Sequence, residues 1–251
     1  MPSGRSVELA DDEVHVWIMP VRAPEAVIAG LERVLSEDEL EQASRFRFPH
    51  LRDSYIVSHG VLRHLLARYL DQAPADIAFV RGAQGKPAVS PSSPLQFNLT
   101  HSGGMAAVAL ANGCAVGIDL EHLRPMTDIE EIAGRYFCPE EAAEILALPP
   151  DKRDRAFFSC WTRKEAYIKA IGDGLSCPLD SFQVTIQPNT QPRLVHIAGD
   201  TGTAAAWTLH DLSLAPDHIA ALAYRDQARI ISIFPIEDFS AFAAGRIPPE
   251  Q

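Results

Sequence analysis

Paired metal-binding cysteines, long apolar runs and an excess of positive charge are all missing from this sequence. Its four cysteines, Cys114, Cys138, Cys160 and Cys177, form no C-x-x-C pair and have no histidine ladder beside them. The usual zinc arrangements are thereby excluded, and buried free thiols are the reading that remains. No stretch approaches the roughly 18 consecutive apolar residues that a membrane-spanning helix requires. The opening MPSGRSVELADDE has neither the basic region nor the apolar run of a secretory leader, so a cytoplasmic location is expected. Lys and Arg number 22 against 33 Asp and Glu, a formal net charge of -11, which argues against a general nucleic-acid binder because phosphate neutralisation needs a basic face. Metalloprotease and serine-hydrolase signatures are absent too: there is no H-E-x-x-H, and Thr100 stands two before Ser102 where a nucleophile elbow has glycine.

What is present is ample material for a core. The chain has 251 residues, 47% of them hydrophobic, enough for one large domain or two modest ones. VHVWIMP (14–20) alternates as a strand does. SEDELEQASRF carries the S-x-x-E capping-box spacing at Ser36 and Glu39, and in RDSYIVSHGVLRHLLARYL the residues Tyr55, Val61, Leu62, Leu65, Leu66 and Tyr69 fit one helical stripe. A strand at DIAFVRG, a Gly85-Lys86-Pro87 turn and the loop SPSSP follow. LQFNLTHS and MAAVALAN, parted by Gly103 and Gly104, read as a hairpin, with AVGIDLE after it. Helices are expected over 128–147 and from Asp151 to Ile171, with Gly172 ending the latter, then strands at SFQVTI, AAWTLHDL and HIAALAYR; the tail GRIPPEQ is expected to be loose. Each half thus reads as strand, helices and strands without a clear sequence repeat. The expected architecture is α+β with two similarly built α/β halves, 1–114 and 115–251.

Chemistry concentrates in three segments. In GIDLEHLRP, Asp119 and Glu121 lie on the same face of a strand that begins as a buried element. Ionised carboxylates are costly to desolvate without a positive partner. In FFSCWTRKEAYIKAIGDG, Trp161, Glu165 and Lys169 recur every fourth residue and share a helix face. If Glu165 meets the strand end, three carboxylates are available to a hard divalent ion such as Mg²⁺, with phosphates and water completing its shell. The plain alternative is a surface Glu–Lys pair on the helix and a D-x-E that only caps its segment. In NLTHSGG, hydroxyls, an imidazole and backbone amides gather before two glycines, a setting suited to an anion. Arg45, Arg47, Arg52 and Arg63 crowd RFRFPHLRDSYIVSHGVLR, as a solvated helix face or as a phosphate-binding surface.

Taken together, FNLTHSGG, VGIDLE and WTRKEAYIKAIGDGL, in this order, resemble the motifs of the 4′-phosphopantetheinyl transferases, specifically the long single-chain Sfp-like branch; the last matches W-x-x-K-E-[SA]-x-x-K. The resemblance spans at least Gly85 to Leu175. It implies two pseudo-symmetric halves in one chain acting as a monomer, and transfer of the phosphopantetheine arm of coenzyme A to a serine of an apo carrier protein, releasing adenosine 3′,5′-bisphosphate. It implies Mg²⁺ ligands at Asp119, Glu121 and Glu165, a general base at Glu165, a phosphate contact at Lys169, and coenzyme A contacts at Lys86, Thr100 and His101. Ser54 stands where relatives commonly carry a base for the 3′-phosphate, and Arg47 or Arg52 is offered in its place. An acidic carrier helix would find Arg135 beside Tyr136 and Phe137. Two other readings are an idle coenzyme A binder and another Mg²⁺-dependent phosphoryl or nucleotidyl transferase. Neither nucleic acid nor membrane is an expected partner.

Overall fold

A computed structural model describes residues 7–82, 84–89, 93–187 and 190–243. The expected loose tail 245–251 and most of the SPSSP loop lie outside these residues. In chain order the elements are β1 (Glu13–Pro20), α1 (Glu25–Glu32), α2 (Glu37–Ser44), α3 (Pro49–Leu70), β2 (Val80–Arg81), β3 (Pro87–Ala88), β4 (Leu95–Ser102), β5 (Met105–Asn112) and β6 (Val116–His122). Then come α4 (Ile129–Tyr136), α5 (Pro139–Ala147), α6 (Pro150–Ile171), β7 (Phe182–Val184), β8 (Leu194–Ile197), α7 (Thr201–Ala204), β9 (Thr208–Leu212), β10 (His218–Tyr224), β11 (Ile230–Pro235) and α8 (Phe239–Ala243).

The two halves share one topology. One sheet runs β11-β1-β5-β4 and the other β6-β10-β9, so β1-β5-β4 is matched strand for strand by β6-β10-β9. A 22-residue helix opening on proline, α3 or α6, lies between the first and second strands of each set. β11 does not follow the division at 114/115: it pairs in parallel with β1, and Phe239 and Phe242 of α8 join the first core around Trp17.

Alternation along the strands builds four layers. Trp17 and Met19 of β1 and Val108 and Leu110 of β5 face the helices of the first half. Val14, Val16, Ala107 and Ala109 face the other way and meet Ile118, Leu120 and Leu222 of the second sheet. That sheet's far side, Ala221 and Ala223, packs under α6 with Phe157, Tyr167 and Ile168.

Local signals explain most boundaries. Ser36 and Glu39 form the expected capping box. Gly172 ends α6 at φ 80°, in the left-handed region where glycine carries no Cβ penalty. The helix expected over 128–147 is two helices, because Cys138-Pro139 breaks it and Pro139 starts α5. The strand expected at DIAFVRG shrinks to Val80–Arg81: Asp76 closes a 3₁₀ turn, the Ile77 carbonyl accepts from Arg63, and the partner strand is only Pro87–Ala88 long.

Candidate active site

Three elements converge on one polar cluster: the end of β4, the end of β6 and the last turns of α6. Gly117 is what lets α6 come so close. A Cβ there would lie 2.1 Å from the Ala166 carbonyl oxygen and 2.4 Å from the Ala170 nitrogen, so helix backbone rests directly on the strand. Glu165 and Lys169, one turn apart on α6, are thereby brought to Asp119, two residues along β6 from that glycine.

Lys169 is the junction of the cluster. Its Nζ lies 2.5 Å from Asp119 Oδ1 and donates to Thr100 Oγ1 at 3.1 Å, while Thr100 Oγ1 donates to Asp119 Oδ1 at 3.3 Å. Asp119 is 4% exposed, and its Oδ2 is buried without a hydrogen-bond partner. Ser102 Oγ donates to Glu121 Oε2 at 2.9 Å and accepts from the His122 amide at 3.2 Å. Glu165, half-buried, accepts no side-chain hydrogen bond among the described residues. Burial first, then the negative charge of Asp119, raises its carboxyl above the ordinary value, and Lys169 opposes this. Glu121 is likewise raised, chiefly by burial, with Ser102 opposing and Asp119 adding to the shift. His101 is held below the ordinary imidazole value by desolvation and by Lys169.

The turn behind this cluster needs glycine. At Gly103, φ is +57°, and a Cβ would stand 2.5 Å from His122 Cβ and 2.8 Å from His218 Nε2. The two imidazoles stack edge to face there at 5.2 Å, and His218 Nε2 lies 3.2 Å from the Ser102 carbonyl. Beside His101 opens a cleft of about 380 Å³, lined by Arg22, Phe46, His50, Ser54, Tyr55 and Gly104 among others. A larger cleft of about 920 Å³ flanks the first turns of α6, away from the carboxylates.

The expected residues thus separate into groups. Asp119, Glu121, Glu165, Lys169 and Thr100 are brought together, while His101, on the other face of β4 from Thr100, lies exposed at the edge of the cluster and lines the cleft. Lys86 is spent elsewhere: its Nζ donates to the carbonyls of Val116 at 2.9 Å and Ala170 at 3.1 Å, and burial lowers its pKa to about 8. Arg52 is engaged by Glu32 and by Asp53. Arg47 is exposed, its guanidinium 5.7 Å over Phe48. Ser54 Oγ turns back to the His50 carbonyl. Arg22 lines the cleft and was not anticipated; as a lone basic residue after a strand it carried no periodic signal. Also unanticipated was Asn98, whose Oδ1 accepts the Ile118 amide at 2.8 Å. Phe137 is buried at 3% exposure, whereas Tyr136 is 42% exposed under the Arg135 guanidinium.

Among the described residues no set of three His, Cys, Asp or Glu side chains is already gathered to hold a metal ion. The donor types nonetheless fit a hard divalent cation: Asp119 Oδ2 is buried with no partner, and burial together with repulsion by Asp119 raises Glu121 and Glu165.

Comparison with known proteins agrees along the chain. The family model for the 4′-phosphopantetheinyl transferase superfamily matches residues 115–223, and that for 4′-phosphopantetheinyl transferase, N-terminal, matches 24–113. The chain is 39% identical to 4′-phosphopantetheinyl transferase HetI of a Nostoc species over 89% of its length and 92% of that protein. It is 32% identical to 4′-phosphopantetheinyl transferase Sfp of Bacillus subtilis, over 64% of this chain and 76% of that one. For 4′-phosphopantetheinyl transferase AcpT of Salmonella typhi the identity is 33%, over 77% and 96%.

Proposed function

Since the chain belongs to the 4′-phosphopantetheinyl transferase superfamily, we propose that the β4–β6–α6 cluster is where it moves phosphopantetheine from coenzyme A to a carrier-protein serine. The activity is that of the family: a phosphopantetheinyl transferase with coenzyme A as donor and a carrier protein as acceptor. The roles of individual residues are our assignment. The observation that carries it is Lys169 Nζ between Thr100 and Asp119, a cation holding together groups from β4, β6 and α6.

In the reaction the serine oxygen forms a bond to the β-phosphorus of coenzyme A as the bond to the bridging pyrophosphate oxygen breaks, and adenosine 3′,5′-bisphosphate leaves. The serine proton passes to the Glu165 carboxylate, directly or through one water; its raised affinity for protons suits it to that task. Lys169, with Thr100 and His101, presents donors to the phosphate oxygens, where charge grows as the bond breaks. Asp119, Glu121 and Glu165 would hold Mg²⁺, which when bound neutralises charge on the pyrophosphate. Ser102 aims Glu121 by its 2.9 Å hydrogen bond. The nucleotide end of coenzyme A lies in the cleft beside His101, with Arg22 the lining cation for its 3′-phosphate. Lys86, committed to two carbonyls, ties the β2–β3 turn to β6 and α6. Exposed Tyr136 with Arg135 supports a carrier-docking surface on α4, from which buried Phe137 drops out.

We further propose a cytoplasmic monomer without nucleic-acid or membrane partners. The net charge of -11 supports the former exclusion, and no helix among the described residues is long and apolar enough to cross a membrane. The test is intact-mass spectrometry of apo carrier proteins incubated with the protein, coenzyme A and Mg²⁺, with EDTA as control. A Mg²⁺-dependent phosphopantetheine mass gain is expected. Coenzyme A binding without any gain across several carrier classes would instead favour an idle binder.

A further inference from the structure

The candidate site is split between two sheets that share no backbone ladder. Thr100 and His101 sit on β4, the edge of one sheet, while Asp119 and Glu121 sit on β6, the edge of the other. An edge strand presents every second amide outward, and each needs a partner. On β6 two of these are Ile118 and His122, and side chains of β4 satisfy both: Asn98 Oδ1 accepts from Ile118 at 2.8 Å, and Ser102 Oγ from His122 at 3.2 Å. Between them Thr100 reaches Asp119. The spacing is the same on both strands, four residues from 98 to 102 and four from 118 to 122, so β4 lies alongside β6 in parallel, its polar side chains replacing a backbone ladder. Opposite these, Leu95 and Phe97 anchor β4 in the first core.

Of these linking side chains, Thr100 and Ser102 also touch the site itself. Asn98 touches none of it. Resting on the reading of the site given above, we propose that Asn98 is a positioning residue for the transfer: by holding the Ile118 amide it fixes the register of β4 on β6 and sets Thr100 against Asp119 and Lys169.

The role predicts a split between kcat and KM. The coenzyme A cleft is built by α3, the end of β1 and the β4–β5 turn, all in the first half, and stays intact when the register loosens. The carboxylates and Lys169 belong to the second half and lose their alignment with it. Displacements of about 1 Å cost on the order of 100-fold in rate.

The experiment compares Asn98→Ala, Asn98→Ser and Asn98→Asp with the unaltered protein. Asp keeps an acceptor at the same reach, and Ser falls short of it. Asn98→Ala and Asn98→Ser are expected to lower kcat about 100-fold with KM for coenzyme A changed less than about threefold, and Asn98→Asp to restore kcat to within about threefold. Amide exchange, read on the protein without substrate, tests the register itself: Ile118 is expected to exchange about 100-fold faster in the Ala variant while β10 amides do not change. Unchanged kcat in Ala and Ser variants, or unchanged exchange at Ile118, overturns the proposal. So does failure of both variants to fold at 15 °C, which would make Asn98 a stability residue. Should the unaltered protein transfer nothing while Ile118 exchange responds as expected, the functional reading fails and the register assignment stands.

Discussion

Laid over one another, the two long helices show the same frame carrying different work. The fifteenth residue of each, Arg63 in α3 and Lys164 in α6, is a buried cation. Each pairs with the capping-box glutamate of the preceding helix, Arg63 with Glu39 at 2.6 Å and Lys164 with Glu141 at 2.8 Å. Each also donates to two carbonyls of the segment that follows its helix: Pro74 and Ile77 in the first half, Leu179 and Phe182 in the second. One residue on, the likeness ends. His64 and Arg68 of α3 occupy the places that Glu165 and Lys169 occupy in α6. Arg68 lies 3.8 Å over the Phe242 ring and donates to the Phe242 carbonyl, so α8 roofs that face. Lys169 meets β4 and β6 instead. What is laid across the helix, an aromatic plug or the polar face of a strand, sets the face proposed for chemistry apart from its counterpart.

The clefts obey the same rule. His50, Leu51, Ser54 and Tyr55 of α3 line one, and Asp151, Lys152, Arg155 and Ala156, at the same places in α6, line the other.

The close seat of α6 on its strand is most easily lost at Gly117. Gly117→Ala drives a Cβ into α6 backbone and is expected to cost about 5 kcal/mol and to abolish transfer, because Glu165 and Lys169 move with the helix. Gly134→Ala, where a Cβ meets nothing within 4 Å, is expected to be neutral or stabilising by up to about 1 kcal/mol. Thermal melts of the two check this.

The two buried ion pairs differ in how completely water is excluded from them. Lys164→Ala leaves the Glu141 carboxylate, at 0% exposure, without its cation and is expected to destabilise by about 4 kcal/mol; Arg63→Ala strands Glu39, at 10%, for about 3 kcal/mol. Urea unfolding of both variants gives the order.

Acid sensitivity should differ between matching places in the two long helices. His59, chiefly through burial, is lowered from 6.5 to about 4, so the unfolded chain takes up the proton first. Its contribution is therefore whole above pH 6.5 and falls away as pH drops toward 4, by about 3 kcal/mol. The matching residue in α6 is Cys160, fully buried and held well above its ordinary value, which gains no charge in that window. His59→Gln is expected to flatten the loss of stability between pH 6.5 and 4 measured in urea titrations.

Much of this was legible beforehand because it is local. Asp119 with Glu121 followed from strand alternation, Glu165 with Lys169 from helical spacing, and the ends of α6 from Asp151 and Gly172. The duplicated topology was visible as an order of elements, but not β11 and α8, whose short strand and five-residue helix carry no distinctive period. Lys164, inside the most recognisable motif, proved to be a tether for Glu141. Lys86 proved to be a donor to backbone carbonyls. Neither outcome has a sequence signal, since both depend on which distant carbonyls or carboxylates the fold brings near. Asn98 was missed for the same reason: its partner is a backbone amide 20 residues away.

The most direct test sets the two helix faces against each other. Intact-mass assay of an apo carrier protein with coenzyme A and Mg²⁺ gives the transfer rate of Glu165→Gln and of His64→Gln, each a single change at the same place in its helix. If the α6 face carries the chemistry, the expected result is a loss of about 1,000-fold for Glu165→Gln and a rate within about twofold of the unaltered protein for His64→Gln, with both variants melting normally. Equal losses in the two, or full activity in Glu165→Gln, would contradict it.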